Sequence, residues 1–141
     1  MKYGPITGLL AAILACGPMP AATGATPAEL VAGYAAQAKR ESPAFAGFSA
    51  ARGADLYRLQ RTRADGAAAG CSSCHTADPR VPGKSRAGKE IAPLAPAANP
   101  QRFTDSAQVE KWFGRNCPDV LDRACTATEK GDFITWLASQ R

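Results

Sequence analysis

Apolar residues recur at four-residue spacing in the first stretch after Pro27: Leu30, Tyr34 and Ala38, with Val31 and Ala35 beside them. That period predicts an amphipathic helix over Pro27 to Arg40. Thr26 is a suitable cap, Pro27 suits the first helical position and Glu29 complements the helix N-terminus. Pro43 ends the pattern. A second helix is predicted from Ser49 to Gln60, capped by Ser49, with Gly53, Leu56 and Tyr57 on one face. A third is predicted from Asp105 to Asn116, where Val109, Trp112 and Phe113 form an apolar stripe. A fourth runs from Thr128 to Ser139, with Thr126 and Glu129 spaced as a capping box and Phe133, Trp136 and Leu137 at helical spacing. Both tryptophan stripes read as core.

Between these patterns the periodicity fails. Residues 76–100 hold five prolines, Pro79, Pro82, Pro93, Pro96 and Pro100, with Gly83 and Gly88 among them. No regular helix fits there. A long irregular segment in a small domain needs something to pack against. A large flat cofactor would serve, with Ile91 and Leu94 as its apolar contacts.

The apolar run Ile6 to Ala15, behind Lys2, is too short to span a bilayer and reads as the core of an export signal. Thr23-Gly24-Ala25 fits a small-x-small cleavage site, which divides the chain into a leader, 1–25, and one domain, 26–141. Ile13-Leu14-Ala15-Cys16 is close to a lipobox, so lipid anchoring through Cys16 is the competing reading. The expected compartment is the periplasm. With Cys16 removed, four of the five cysteines remain. An even number in an oxidising compartment permits one disulfide besides the two cysteines of the motif below. The 141 residues carry a formal charge of +5, but the basic residues are scattered and not interleaved with aromatics. That argues against a nucleic-acid partner. Lys84, Arg86 and Lys89 read equally well as a docking face for an acidic protein or as a solvated loop.

Cys71-Ser72-Ser73-Cys74-His75 names a chemistry. Thiols at i and i+3 reach two vinyl groups on one edge of a haem, and the histidine that follows lies under the iron. Cys71 and Cys74 are therefore thioether sites and His75 the proximal iron ligand of one covalently attached haem c. A thioredoxin-like pair lacks its βαβ surroundings. Zinc would need Cys71, Cys74, Cys117 and Cys125 together.

His75 is the sole histidine, and both methionines, Met1 and Met19, lie in the leader. The usual second ligands of an electron-transfer haem are thus missing. Candidates are Asn99, Asn116, a lysine, a tyrosine, water or an open site. Asn116 stands out because it immediately precedes Cys117. A Cys117–Cys125 bridge would close a short loop, worth about 2.5 kcal/mol in the chain-entropy model, and would restrain Asn116. The competing reading of Asn116 is a helix C-cap.

The segments Gly88 to Pro96, Arg102-Phe103-Thr104-Asp105, Val109-Glu110-Lys111-Trp112, Gly114-Arg115-Asn116-Cys117, Cys125-Thr126, Glu129-Lys130 and Trp136-Leu137 resemble the sphaeroides haem protein (SHP) family of small exported c-type cytochromes. The likeness runs from about Pro27 to the C-terminus. It implies an all-α cytochrome c fold, with the Gly53/Tyr57 helix crossing the Trp136/Leu137 helix and the N-terminal helix packed outside. It implies Asn116 as the distal ligand and a Cys117–Cys125 disulfide. It further implies high-spin haem, release of the asparagine on reduction, binding of O2, NO or CO, and a diheme cytochrome c and a membrane cytochrome b as electron donors. A plain electron carrier with a permanent sixth ligand is the alternative. A dedicated peroxidase lacks the distal acid–base group that a second histidine would supply. Whether the protein is an enzyme at all stays open at this level.

Overall fold

The computed structural model describes Met1 and residues 25–141. Apart from Met1 and Ala25, residues 1–25, read above as a leader and including Cys16, lie outside the described residues. Five helices and two short hairpins follow one another: α1 (Pro27–Glu41), α2 (Ala50–Arg58), β1 (Arg61–Thr62), β2 (Ala68–Ala69), α3 (Cys71–His75), β3 (Gly83–Lys84), β4 (Glu90–Ile91), α4 (Ser106–Leu121) and α5 (Ala127–Ser139). The architecture is the expected mostly helical one. Among the described residues no helix is long and apolar enough to cross a membrane.

The caps act as their residue types require. Thr26 with Glu29, and Thr126 with Glu129, each close a capping box. Ser49 accepts the Arg52 amide at the start of α2. Leu30, Tyr34 and Ala38 are the buried positions of α1. Its last residue, Glu41, accepts the Ala127 amide at the start of α5, 3.1 Å away.

Helix α5 is the spine, with Ile134 and Leu137 fully buried. Helix α2 crosses it at Gly53, where an added Cβ would strike the Asp132 carbonyl and come within 2.8 Å of the Trp136 Cβ. Beside this crossing Asp132, 3% exposed, accepts the Ser49 amide at 2.6 Å and Arg52 Nε and Nη2 at 2.6 and 2.9 Å. One buried carboxylate thus pins the start of α2 to α5. Helix α1 packs on another side of α5. Aromatic rings join the elements: Tyr34 to Phe113 at 6.3 Å, Phe113 to Phe133 at 5.7 Å, and Tyr57 to Trp136 at 4.6 Å between centroids.

Three sequence expectations change. Helix α4 does not end at Asn116 but runs on through Pro118 to Leu121, and its C-cap is Asp122, at φ 63°. A proline inside a helix costs about 3 kcal/mol; here burial of Cys117 just before it and Val120 after it offsets that cost. Asn116 is therefore not a helix cap. Trp112 is not core: it is 42% exposed, whereas Trp136 is 7% exposed. The buried line of α4 is Val109, Phe113, Cys117 and Val120, and Trp112 sits about 100° round the helix from Phe113. The two antiparallel ladders, Arg61↔Ala69 with Thr62↔Ala68 and Gly83↔Ile91 with Lys84↔Glu90, gave no period-2 signal because each strand is only two residues long.

Candidate functional site

Cys71, Cys74 and His75 share the single short helix α3, set between the two hairpins. Both thiols are free and half-buried. The helix is held from several sides. The Gln60 side chain donates to Ser72 Oγ at 2.7 Å and accepts from Ser73 Oγ at 2.8 Å. The Tyr57 hydroxyl donates to the His75 and Thr76 carbonyls, at 2.9 and 2.7 Å. Gly83 lies against the motif so closely that a Cβ there would strike the Cys74 carbonyl and come within 2.9 Å of the His75 Cα. Directly after His75, Thr76 takes φ 64°, ψ 177°, a region almost reserved for glycine that costs about 1–3 kcal/mol. Tyr57 and the bond from Thr76 Oγ1 to the Asp78 carbonyl, 2.8 Å, hold this strained turn in place.

Burial, and secondarily the Arg102 guanidinium, push the His75 imidazole down to about 4. The ring is neutral at pH 7, the form that binds metal. Among the described residues neither ring nitrogen has a protein hydrogen-bond partner, so no loop carbonyl fixes its tautomer. Burial pushes the Cys71 thiol up to about 11, the opposite of an activated redox cysteine. Cys117 and Cys125 are joined to each other, with Cα atoms 5.5 Å apart. Four thiolates for zinc are therefore not available. Among the described residues no three His, Cys, Asp or Glu side chains gather as a metal-ion site. Two free thiols one helical turn apart beside a neutral histidine fit a haem, which brings four of its iron's ligands with it.

The proline-rich segment wraps beside α3. The Pro79 carbonyl accepts the Leu94 and Ala95 amides, both at 2.9 Å. Arg102 and Asn99 clasp the other end: Arg102 Nε and Nη2 donate to the Pro93 and Ala92 carbonyls at 2.7 and 2.5 Å, and Asn99 Nδ2 donates to Pro93 at 3.3 Å. Leu94 is buried and Ile91 half-buried.

Asn116 lies on α4, its side chain exposed and without a hydrogen-bond partner among the described residues. The other sequence candidates for a sixth ligand are more committed. The Asn99 amide is used by the wrap, the Tyr34 hydroxyl donates to Glu110 and Tyr57 holds His75. At 100° per residue Asn116 shares one flank of α4 with Trp112, four residues before it, and Asp119, three after. Asp119 pairs with Arg63, between β1 and β2, and with Arg86, between β3 and β4. The flank carrying Asn116 is thereby tied to the hairpins on both sides of α3. Arg86 belongs to this clamp and not to a free docking face, while Lys84 and Lys89 are exposed. The Arg115 guanidinium lies 5.4 Å from the centroid of the Trp112 ring. Two open cavities of about 260 and 280 Å³ adjoin Arg52 and Thr128, and no residue of α3 or α4 lines them.

Tyr57, Gln60, Gly83, Arg102 and Asp119 did not stand out in the sequence as parts of the site. Gly83 figured in the sequence only among the residues that keep a regular helix out of 76–100.

A family described as a domain of unknown function (DUF1924) matches residues 43–137. The chain is 49% identical over 133 residues to the cytochrome c-type protein SHP of Cereibacter sphaeroides, covering 94% of this chain and 96% of that one. The structure of oxidised SHP, described as an oxygen-binding cytochrome c, superposes with a TM-score of 0.73 at 48% identity, over 83% of this chain and 99% of that one. The solution structure of cytochrome c'' from Methylophilus methylotrophus, discussed for the structural basis of haem-ligand detachment, gives a TM-score of 0.70 at 37% identity, over 80% and 92% of the two chains.

Proposed function

The chain belongs to the SHP family of c-type cytochromes, and from that premise we propose that Asn116 would be a second, redox-released ligand to the haem iron besides His75. The protein carries one covalently attached haem c. When bound, the haem supplies one-electron chemistry and an exchangeable coordination position. Cys71 and Cys74 hold it by thioether bonds. His75 offers a neutral ring nitrogen, and Tyr57 with the strained Thr76 turn keeps its backbone fixed.

Asn116 offers a neutral carboxamide oxygen, a hard donor that holds ferric iron better than ferrous. With the haem bound, Asn116 would be held less strongly after reduction, and its release would leave room for O2, NO or CO. The Cys117–Cys125 bridge confines that movement to the Asn116 side chain, because the next residue is tied to the start of α5. The supporting observation is the unpartnered Asn116 side chain on the flank that Asp119 ties to both hairpins around α3. A relative described as oxygen-binding and another discussed for ligand detachment support the same reading. The proposed electron donor is a diheme cytochrome c, with a membrane cytochrome b as a second source. The proposed compartment is the periplasm, since Lys2 and the run Ile6 to Ala15 read as an export signal.

The test is the absorption spectrum of the reduced protein before and after CO. A shifted Soret band is expected; an unchanged one would make the protein a plain electron carrier. Asn116→His should turn the ferric haem low-spin and weaken CO binding about tenfold or more, the effect of about 1.4 kcal/mol of added ligand strength. Wild-type spectra from that variant would remove Asn116 from the iron.

A further inference from the structure

We propose that Tyr34 is a redox-active residue, a one-electron donor that hands its proton to Glu110 and sends its electron along a file of packed rings to the haem site. The proposal rests on the reading that a haem is attached at Cys71–His75. It gives a role to a cluster that neither the attachment motif nor Asn116 uses.

The cluster lies where α1, α4 and α5 meet. Tyr34 is buried, and its hydroxyl donates to Glu110 Oε1. Lys130 Nζ donates to the other oxygen, Oε2, at 2.7 Å. The same ammonium lies 5.5 Å from the centroid of the Tyr34 ring and 5.8 Å from that of Phe113. Burial, and then the hydrogen bond and charge of Glu110, raise the Tyr34 pKa, so the resting phenol keeps its proton. The Glu110 side chain reaches solvent, so a proton received there can pass on to water.

The file begins at the backbone of the iron ligand. The Tyr57 hydroxyl donates to the His75 carbonyl at 2.9 Å. Tyr57 meets Phe133 at 6.2 Å, Phe133 meets Phe113 at 5.7 Å, and Phe113 meets Tyr34 at 6.3 Å between centroids. Tyr57 stands nearer to His75, but its hydroxyl donates to two backbone carbonyls, which are too weakly basic to keep a proton. A phenol that has lost an electron is a strong acid, so oxidation settles where a base is waiting. Among the described tyrosines Tyr34 alone donates to a carboxylate. The Lys130 cation beside its ring opposes a positive charge there, which ties loss of the electron to loss of the proton.

The oxidant is a peroxide, the class of molecule made when O2 gains two electrons. Cleaving its O–O bond takes two electrons, and ferrous iron becoming ferric supplies one. Tyr34 supplies the other. H2O2 then gives two hydroxide ions, Tyr34 becomes a neutral phenoxyl radical and Glu110 a carboxylic acid. Without that second electron the same cleavage releases a hydroxyl radical beside the cofactor. Tyr34 thus moves the unpaired electron from the haem site to the junction of α1, α4 and α5.

The experiment uses the ferrous haem-bearing protein, mixed with H2O2 in the absence of air and frozen for electron paramagnetic resonance. A phenoxyl radical is expected, identified by a narrowed signal when the tyrosines carry ring deuterium. Tyr34→Phe, which keeps the ring, should abolish it, whereas Tyr57→Phe should keep it. Glu110→Gln still accepts a hydrogen bond but takes up no proton, and should slow radical formation about a hundredfold or more, the usual worth of a positioned base. In heavy water formation in the wild type should also slow. A full radical yield from Tyr34→Phe, no radical in the wild type, or an unchanged rate in Glu110→Gln or in heavy water would each overturn the proposal. A protein with no covalent haem spectrum would instead sink the underlying cofactor reading. In that case a flashed ruthenium tris-bipyridyl complex with persulfate supplies the oxidant: loss of the radical in Tyr34→Phe supports Tyr34 as the donor, and its persistence overturns it.

Discussion

Tyr57 has no exposed surface, yet its hydroxyl meets two backbone carbonyls, those of His75 and Thr76. Burial pushes its pKa up, so it stays protonated and donates. The ring alone would have secured the packing against Trp136; the oxygen has a separate role at the strained turn after His75. Tyr57→Phe keeps the ring and leaves both carbonyls short of a donor. It should cost about 1–3 kcal/mol, read as a lower denaturation midpoint of the haem-bearing protein. An unchanged midpoint would show that Tyr57 is packing only. The same separation applies to Asp132. Its carboxylate is buried, and it is tolerated because Arg52 and the Ser49 amide use both oxygens.

At the scale of elements, the crossing of α2 and α5 is set by one missing side chain. Gly53 brings the helix backbone against the Asp132 carbonyl, and no rotamer change can relieve a Cβ meeting backbone. Gly53→Ala should destabilise the fold by about 1–3 kcal/mol or more, although alanine is the better helix former. A rise in melting temperature would mean that α2 can slide along α5. Gly83 plays the same part for the β3–β4 hairpin against α3, where the close neighbours are Cys74 and His75 themselves. Helix α4 differs in kind. Its core face follows i, i+4 spacing, but its neighbouring flank carries Trp112 and Asn116 exposed and Asp119 paired to both hairpins. Sequence periodicity placed Trp112 in the core because a stripe two residues wide looks alike whether its edge meets protein or not.

Across the whole molecule the two hairpins and α4 are joined by Asp119 through Arg63 and Arg86. The hydrogen bond from Arg63 above all, with that from Arg86 and the charges of both guanidiniums, holds the Asp119 carboxyl below the usual carboxylate range, against a desolvation effect second only to the Arg63 bond. A carboxyl whose folded pKa is lowered contributes stability above its unfolded value of about 3.9, and that contribution is lost as pH falls through the folded value. Acidification below about pH 4 should therefore free the Asn116 flank from the hairpins before the core fails. The clamp is partly exposed, so its share of global stability is small; the ferric absorption spectrum is the sensitive probe. Asp119→Asn should show at neutral pH the spectrum that the wild type reaches only in acid. If variant and wild type keep the same acid transition, the clamp is not its origin.

The chain order alone determined the attachment helix, because Cys71, Cys74 and His75 are contiguous and their spacing is itself the chemistry. It also determined the apolar faces of α1, α2 and α5 and three caps, since these depend on residues within four positions of one another. The lack of a second histidine, and of any methionine after Met19, narrowed the sixth ligand, and the Arg-Asn-Cys stretch pointed to Asn116. Tertiary structure decided where α4 ends, that Trp112 is not core, and which groups serve the site from a distance. Tyr57 reaches His75 from α2, Gly83 meets it from β3, Arg102 clasps the wrap from its far end, and Asp119 joins α4 to both hairpins. A periodic pattern states which face of an element is apolar, but a hydrogen bond or ion pair between residues dozens of positions apart exists only once the backbones have been packed, so its partner is not written in either local sequence.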